Sequence, residues 1–547
     1  MNQTIPYTFP ARFGQIVQQF GNHNSLSFVG EKPLSYHDLN QHIHSLIRIL
    51  EDLGIVPGDK VAILSINIPN WGISYFAVTF MRAVAVPLLP DFLPSEIENI
   101  LNHSETKAIF ISEKLSSKLD SVQVSTLKHQ IRIEDFQVTE TPVNKPVFSL
   151  KQNPAKTYLV AEDDLAAIIY TSGTTGKSKG VMLSHKNICI TAEQALCVRK
   201  VNENDRFLSL LPLSHSYENT LGFVMPMLCG SSVYYLGKQP TPSVLLPALL
   251  EVKPTMIFSV PLIIEKIYRN RILPAFNTKW IVRQLYKIPV IRKKLNEIAG
   301  KKLLKTFGGK LEFFGIGGAK LDRKVEQFLI EAKFPYSIGY GLTETAPLLA
   351  GMKVFQSRLQ STGPAITGVE LKINQPDPKT GEGEIWARGA NVMKGYYKEP
   401  DITAEVITPD GWFKTGDLGA FDADGYLHIR GRLKNVLIGA SGENIYPEEI
   451  ESVINNHPLV IESLVVQQKG KIVALVHFNL DELQTKYDEL VEKGSQLAEQ
   501  KMNELQKELQ NYINQNVNKF SQVQLVLVHP EPFEKTATQK IKRFLYT

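Results

Sequence analysis

Short apolar runs alternate with longer amphipathic stretches along the first 430 residues. The runs at 61–66, 108–111, 207–211, 233–236, 256–260 and 311–316 read as buried strands. The stretches at 36–53 and 322–332 carry apolar residues at helical spacing. This alternation predicts an α/β fold with largely buried sheets. From 363 to 429 the texture changes to short strands broken by Gly, Pro and Asp, predicting a small β-rich subdomain. A break falls at 431–435. Beyond it the pattern predicts a helix at 447–456, strands at 463–467, 473–478 and 523–528, and a largely helical 481–520. The expected organisation is a large α/β N-terminal domain at 1–430, a hinge at 431–435, and a smaller, mobile α+β C-terminal domain at 436–547.

Composition narrows the picture modestly. The chain is 547 residues long, enough for two or more domains with large cores. A net charge of +5 is small for this length and gives no argument for nucleic acid. Cys189, Cys197 and Cys229 show no C-x-x-C spacing. They read as thiols buried in a helix and core, which fits a reducing, cytoplasmic setting. The N-terminus lacks an apolar signal core, and no run approaches the ~18 apolar residues of a membrane span. Residues 266–310 depart from the mean, with thirteen Lys/Arg against one acid, Glu297. Trp280, Ile281, Leu285 and Tyr286 interleave those charges. Two readings stand: peripheral contact with an anionic membrane face or phosphate-bearing ligand, or a solvated helical face.

The densest chemistry lies at 170–180, Tyr-Thr-Ser-Gly-Thr-Thr-Gly-Lys-Ser-Lys-Gly. Glycines let backbone amides turn toward an anion, hydroxyls donate hydrogen bonds, and lysines supply charge. Apolar residues on both sides predict a phosphate-gripping loop between two strands. The common P-loop spacing needs Gly at 171 and meets Thr171. The dinucleotide fingerprint fails at Lys320 after Gly315 and Gly317, and at Glu344 after Gly339 and Gly341. A flexible Ser/Gly/Thr linker is the plain alternative.

Further motifs follow in order. His215 stands in Leu-Pro-Leu-Ser-His-Ser-Tyr-Glu at 211–218, placed for a pocket wall. Gly317, Gly318 and Ala319 close a strand with small residues that let a flat ring approach. Tyr340, Gly341, Thr343 and Glu344 put an aromatic, a hydroxyl and a carboxylate on one turn. Asp417 is a natural acceptor for two ribose hydroxyls, and Arg432 could reach the same sugar or a phosphate. Read singly, each has a structural explanation: a turn, a cap, or, for the basic tail around Lys540, a solvated terminus.

Taken together and in this order, the motifs resemble those of the adenylate-forming acyl-CoA synthetases, over nearly the whole chain. Gly-Glu-Ile-Trp-Ala-Arg-Gly at 383–389, continuing through 410–434, looks like the fatty-acyl-CoA synthetase signature. The likeness is strongest to bacterial long-chain fatty acid–CoA ligases. It implies ATP, Mg²⁺ and coenzyme A as cofactor and co-substrates, with a long-chain fatty acid as partner. By position, Thr171, Ser172, Gly173, Thr174, Thr175 and Gly176 with Lys177 and Lys179 would wrap the β- and γ-phosphates. Gly317, Gly318 and Ala319 would line the adenine and acyl site, with Tyr340 and Gly341 beside adenine. Thr343 would touch the α-phosphate, Glu344 and Thr171 would hold Mg²⁺, and Asp417 and Arg432 would bind ribose. Lys434 matches the hinge and Lys540 the lysine that bridges carboxylate and α-phosphate. His215 would sit near the acyl carboxylate, and the loop containing Ser441 and Gly442 near the CoA thiol. Gln539 stands where the family usually has Gly, and Asn435 where Asp often follows the hinge. Two other functions fit the same likeness: an acyl-AMP ligase serving a carrier protein, and a non-catalytic nucleotide or lipid sensor.

Overall fold

The computed structural model describes residues 5–140, 156–172, 178–277, 280–439, 443–479, 496–536 and 540–546. Strands are numbered in chain order. The first sheet has the order β17-β8-β7-β3-β2-β4-β5-β6. Its strands are β2 (Lys60–Leu64), β3 (Val84–Leu88), β4 (Ala108–Ile111), β5 (His129–Arg132), β6 (Val138–Glu140), β7 (Leu165–Ser172), β8 (Ser178–Ser184) and β17 (Gly395–Tyr396). The second runs β1-β10-β9-β11-β12-β13-β14. It comprises β1 (Leu26–Phe28), β9 (Arg206–Ser209), β10 (Ser232–Tyr235), β11 (Met256–Ser259), β12 (Phe313–Ile316), β13 (Tyr336–Gly341) and β14 (Leu348–Gly351).

Most pairs in both sheets are parallel, and Ala62, Ile63, Leu64, Ala108, Ile109 and Phe110 are all fully buried. Continuous apolar runs are what a sheet covered on both faces requires. The helix Pro69–Phe80 touches β2 and β3 of one sheet and β1 of the other. Almost every residue of it is buried, since it has no solvent side. Trp71 stacks on Tyr75 at 5.3 Å, and Phe76 packs against Phe223 at 4.9 Å. Phe223 belongs to Glu218–Val224, a π-helical segment against β9 and β11.

The β-rich subdomain is an antiparallel sheet of β15 (Val369–Asn374), β16 (Gly383–Gly389), β18 (Phe413–Phe421) and β19 (Leu427–Arg432). After the short pair β20 (Leu437–Ile438) and β21 (Asn444–Ile445) comes a three-stranded sheet: β22 (Val460–Gln468), β23 (Lys471–Phe478) and β24 (Leu525–Val528). Helices Pro447–Ile454 and Gln496–Asn516 cover it, burying Ile450, Ile454, Leu505, Leu509 and Ile513 in a separate core. This smaller α+β unit rests on the larger one through Lys320–Glu449 at 3.1 Å and Tyr446 hydroxyl to Glu382 at 2.7 Å.

The strands fall where the apolar runs predict them. Two details differ. Cys189 is buried in the helix His185–Gln194, but Cys197 lies in a following 3₁₀ turn and is, like Cys229, half-buried. Of the predicted helical stretch 481–520, residues 481–495 lie outside the described residues. Among the described residues no helix is long and apolar enough to cross a membrane.

Candidate active site

The carboxyl ends of β9, β12 and β13 in the second sheet carry three of the motifs, as open α/β sheets direct. β7 and β8 form a hairpin in register, with Thr171 opposite Lys179 and Ser172 opposite Ser178. Gly173, Thr174, Thr175, Gly176 and Lys177 lie outside the described residues. The Lys179 ammonium sits 5.0 Å from the ring centre of Tyr396 on the neighbouring β17. The Tyr396 hydroxyl in turn donates to Glu344 Oε1 at 2.9 Å. Burial and the Glu344 charge raise the Tyr396 pKa, which keeps that phenol a donor. A side chain that sequence reading missed thus ties the hairpin stem to the carboxylate.

Glu344 lies in the 3₁₀ turn Thr343–Thr345 after β13. Thr343 Oγ1 is 3.2 Å from Ser216 Oγ, which joins this turn to the His215 loop. A carboxylate with lone pairs beyond its bond to Tyr396 is the hard oxygen donor that Mg²⁺ takes, alongside phosphate oxygens. Gly341 allows the close pass of the chain here: a Cβ on it would meet Pro347 O at 1.7 Å. Gly317 lies against the Tyr217 ring, where a Cβ would stand 3.2 Å from Cε1. Gly318 adopts φ +85°, and it and Ala319 are exposed at the strand end.

Asp417 and Arg432 face each other across β18 and β19, and Arg432 Nε reaches Asp417 Oδ1 at 2.8 Å. Tyr340 donates its hydroxyl to the other oxygen, Oδ2, at 2.8 Å. The sequence suggested Tyr340 only as a stacking ring; the fold also uses its hydroxyl to fix the carboxylate. Burial raises the Asp417 pKa, with Arg432 and the Tyr340 bond opposing.

Lys540 enters this site from the far end of the chain. Its backbone carbonyl accepts from Thr536 N at 2.8 Å, and Lys535 bridges to Ile541. Lys540 is exposed as a residue. Desolvation of its ammonium by surrounding protein, with the like charge of Arg432, lowers its pKa, while Asp417 and Glu344 pull the other way. His215 feels the same lysine. Burial first, then Lys540, pushes its pKa down to about 4, so the imidazole is neutral at pH 7. Its Nδ1 accepts from Tyr217 N at 3.2 Å, which leaves Nε2 carrying the proton.

The hinge candidate Lys434 is exposed in the 3₁₀ turn Leu433–Asn435. Asn435 donates to Glu448 Oε1 at 2.6 Å, so the residue in place of the usual Asp still ties the turn to the smaller unit. Ser441 and Gly442 lie outside the described residues.

Behind Gly317 a narrow apolar cavity runs into the second sheet, past Tyr217, Leu221, Phe258, Gly315 and Gly339. Its volume is about 40 Å³. Tyr217, within the His215 motif, was legible as a neighbour of the site but not as a cavity wall.

Residues 13–397 match the profile described as AMP-binding enzyme. Fatty acyl-CoA synthetase A of Dictyostelium discoideum is 28% identical, over 92% of this chain and 81% of the relative. 4-Coumarate–CoA ligase 1 of Arabidopsis thaliana is 30% identical, over 80% and 76%. Among solved structures, O-succinylbenzoate coenzyme A synthetase of Bacillus subtilis, in complex with AMP, superposes with a TM-score of 0.77 at 22% identity, covering 98% of each chain.

Proposed function

This chain belongs to the AMP-binding enzyme family, and on that premise we propose that it activates a long-chain fatty acid with ATP and transfers it to coenzyme A. The products are acyl-CoA, AMP and pyrophosphate. The observation that carries the reading is the convergence of Lys540, Asp417, Glu344 and His215 in one field of charge beside the β7–β8 hairpin. Similarity to a fatty acyl-CoA synthetase over 92% of the chain, and the apolar lining of the cavity, support the fatty acid. The division at 431–435 into two moving domains belongs to the same proposal.

A carboxylate oxygen attacks the α-phosphorus, and pyrophosphate leaves. Two anions must meet for that bond to form, so a cation between them is the main requirement. Lys540 fills that role, with its field shaped by Asp417 and Glu344. Neutral His215 offers an Nε2–H to the acid without adding charge. Thr343 and the hairpin residues, Lys179 among them, bind phosphate oxygens, and Asp417 with Arg432 holds the ribose. Mg²⁺, when bound, offsets phosphate charge, and Glu344 and Thr171 are the residues to hold it. In the second half the CoA sulfur attacks the acyl carbonyl carbon and AMP departs. A swing about Lys434 would withdraw Lys540 and bring the Ser441–Gly442 loop to the thiol.

Incubation with palmitate, ATP, Mg²⁺ and CoA tests this. We expect palmitoyl-CoA and pyrophosphate in equal amounts. Acyl-AMP without thioester would point instead to a carrier-protein ligase. Turnover of coumarate but not palmitate would move the substrate class to aromatic acids.

We also propose that residues 266–310 dock on an anionic bilayer. One face of this region is anchored: Phe276 stacks on Tyr286 at 4.6 Å, and Tyr286 donates to Asn296 at 2.9 Å. Other side chains are left to solvent, with Trp280 70% and Val290 73% exposed, and Ile281, Ile288 and Ile298 over half or nearly half exposed. Apolar groups among Arg283, Lys287, Lys293 and Lys294 suit an anionic interface. Co-sedimentation with phosphatidylglycerol vesicles should be strong, and weak with phosphatidylcholine. Binding that survives Trp280→Ser with Lys293→Glu and Lys294→Glu would overturn the docking.

A further inference from the structure

The cavity behind Gly317 has a definite inner end, and a charged side chain forms it. In the parallel sheet Phe258 and Gly315 are register partners, as are Met256 and Phe313 two residues earlier. From Gly317 back to Phe313 is four residues, or roughly 13 Å at a strand's rise of ~3.3 Å per residue. Met256 and Phe313 therefore mark the end away from the reacting centre, and both line the cavity. Arg199 lines it too, with Nη1 3.0 Å from the sulfur of Met256.

A guanidinium at the end of an apolar channel is costly unless paired. Arg199 is paired on two sides. Its fork binds Asp205 at 2.8 and 3.0 Å, and Nη2 reaches Glu312 at 2.7 Å. Asp205 is buried and is itself held by Thr255 Oγ1 at 2.7 Å and Asn202 N at 3.0 Å. Glu312 is different, being 65% exposed at its side chain. The ion pairs thus hold Arg199 across the channel between the cavity and the surface at Glu312. The adenylation chemistry described above does not use this cluster.

We propose that Arg199 is the end wall of the acid pocket and sets the longest acyl chain accepted, with Asp205 as its anchor and Glu312 as its surface latch. The proposal rests on the acid-activating function. The terminal methyl group of the longest good substrate packs on the Arg199 stem, Met256 and Met225. Thioethers adapt to a chain end of variable position. Any longer acid must displace the guanidinium from its partners.

The test is pyrophosphate release with octanoate, dodecanoate, palmitate, stearate and behenate. Each additional buried methylene is worth about fourfold in kcat/KM. Arg199→Ala should raise the ratio of behenate to dodecanoate by at least about tenfold. Glu312→Ala, which leaves the Asp205 pair intact, should shift it the same way by about threefold. Ala195→Leu, which fills the cavity near this end, should shift it toward shorter acids. Should Arg199→Ala fail to fold because Asp205 is left unpaired, the other two variants decide the matter. A parent chain that releases pyrophosphate with none of these acids sinks the acid-activating reading, and the end wall with it. An active parent whose length profile is unchanged in the folded variants overturns the end wall alone.

Discussion

The two sides of the site are built on different principles. On the side proposed for the nucleotide, polar and charged groups are held by one another: Lys179 against Tyr396, Tyr396 on Glu344, and Tyr340 and Arg432 on Asp417. On the side proposed for the acid, the cavity wall is apolar or small, and its one charge, Arg199, is spent on Asp205 and Glu312. The lesson is a division of labour. Fixed dipoles and charges serve a reaction common to every acid, whereas shape alone chooses which acid enters. Nucleotide-side changes should then slow all acids alike, and acid-side changes should re-rank them.

The largest effect expected is from Lys540→Ala. Acyl-AMP formation should fall on the order of 10²-fold or more, by the same factor for every acid. Thioester formation from supplied acyl-AMP should survive, because AMP expulsion needs no bridge between two anions. A loss confined to long acids would break the comparison. Tyr396→Phe removes one hydrogen bond to a charged group, so kcat/KM for ATP should fall about tenfold with the ranking of acids unchanged. The Arg199 variants should do the reverse, moving the ranking at comparable activity on the best acid.

A smaller effect distinguishes the sides by pH. Glu218 opens the π-helix behind Tyr217, is buried, and accepts from Ser209 Oγ at 2.6 Å. Burial pushes its pKa up from 4.5 to about 8, so it is protonated at pH 7. A raised folded-state pKa adds stability that is full below the unfolded value, and it is lost as pH rises through the folded value. The parent should therefore lose stability between pH 4.5 and about 8 relative to Glu218→Gln, read as the difference in urea midpoint across that range. Parallel midpoints would show that Glu218 is ionised or solvated. His215 should add no acid limb to the rate near pH 6.5, since its imidazole is neutral down to about pH 4.

Most of the polar groups proposed for the nucleotide stand out in the sequence as motifs. They are polar residues on single turns or hairpins. Thr343 and Glu344 share one turn, and Asp417 and Arg432 share one hairpin. Tyr396 was not legible, because it lies 52 residues from the carboxylate it binds. The acid side was nearly invisible. Arg199 and Ser337 apart, its residues are apolar or glycine, and they come from the turn at 195–199, β11, β12, β13, β14 and the π-helical region, so no local pattern links them. Arg199 would pass for a surface charge until Met256 and Glu312, both more than fifty positions away, are seen beside it.

The sequence alone determined the alternation of strands and helices, because buried strands need continuous apolar runs and helices need a 3.6-residue period. It also carried the motifs on which the proposed phosphate and ribose contacts rest, since that chemistry demands particular residue types at short spacing. Only the tertiary structure decided that Lys540, nearly two hundred residues past Glu344, shares its field of charge. It alone formed the cavity behind Gly317, since a cavity depends on packing between segments distant in the chain, which local spacing does not encode.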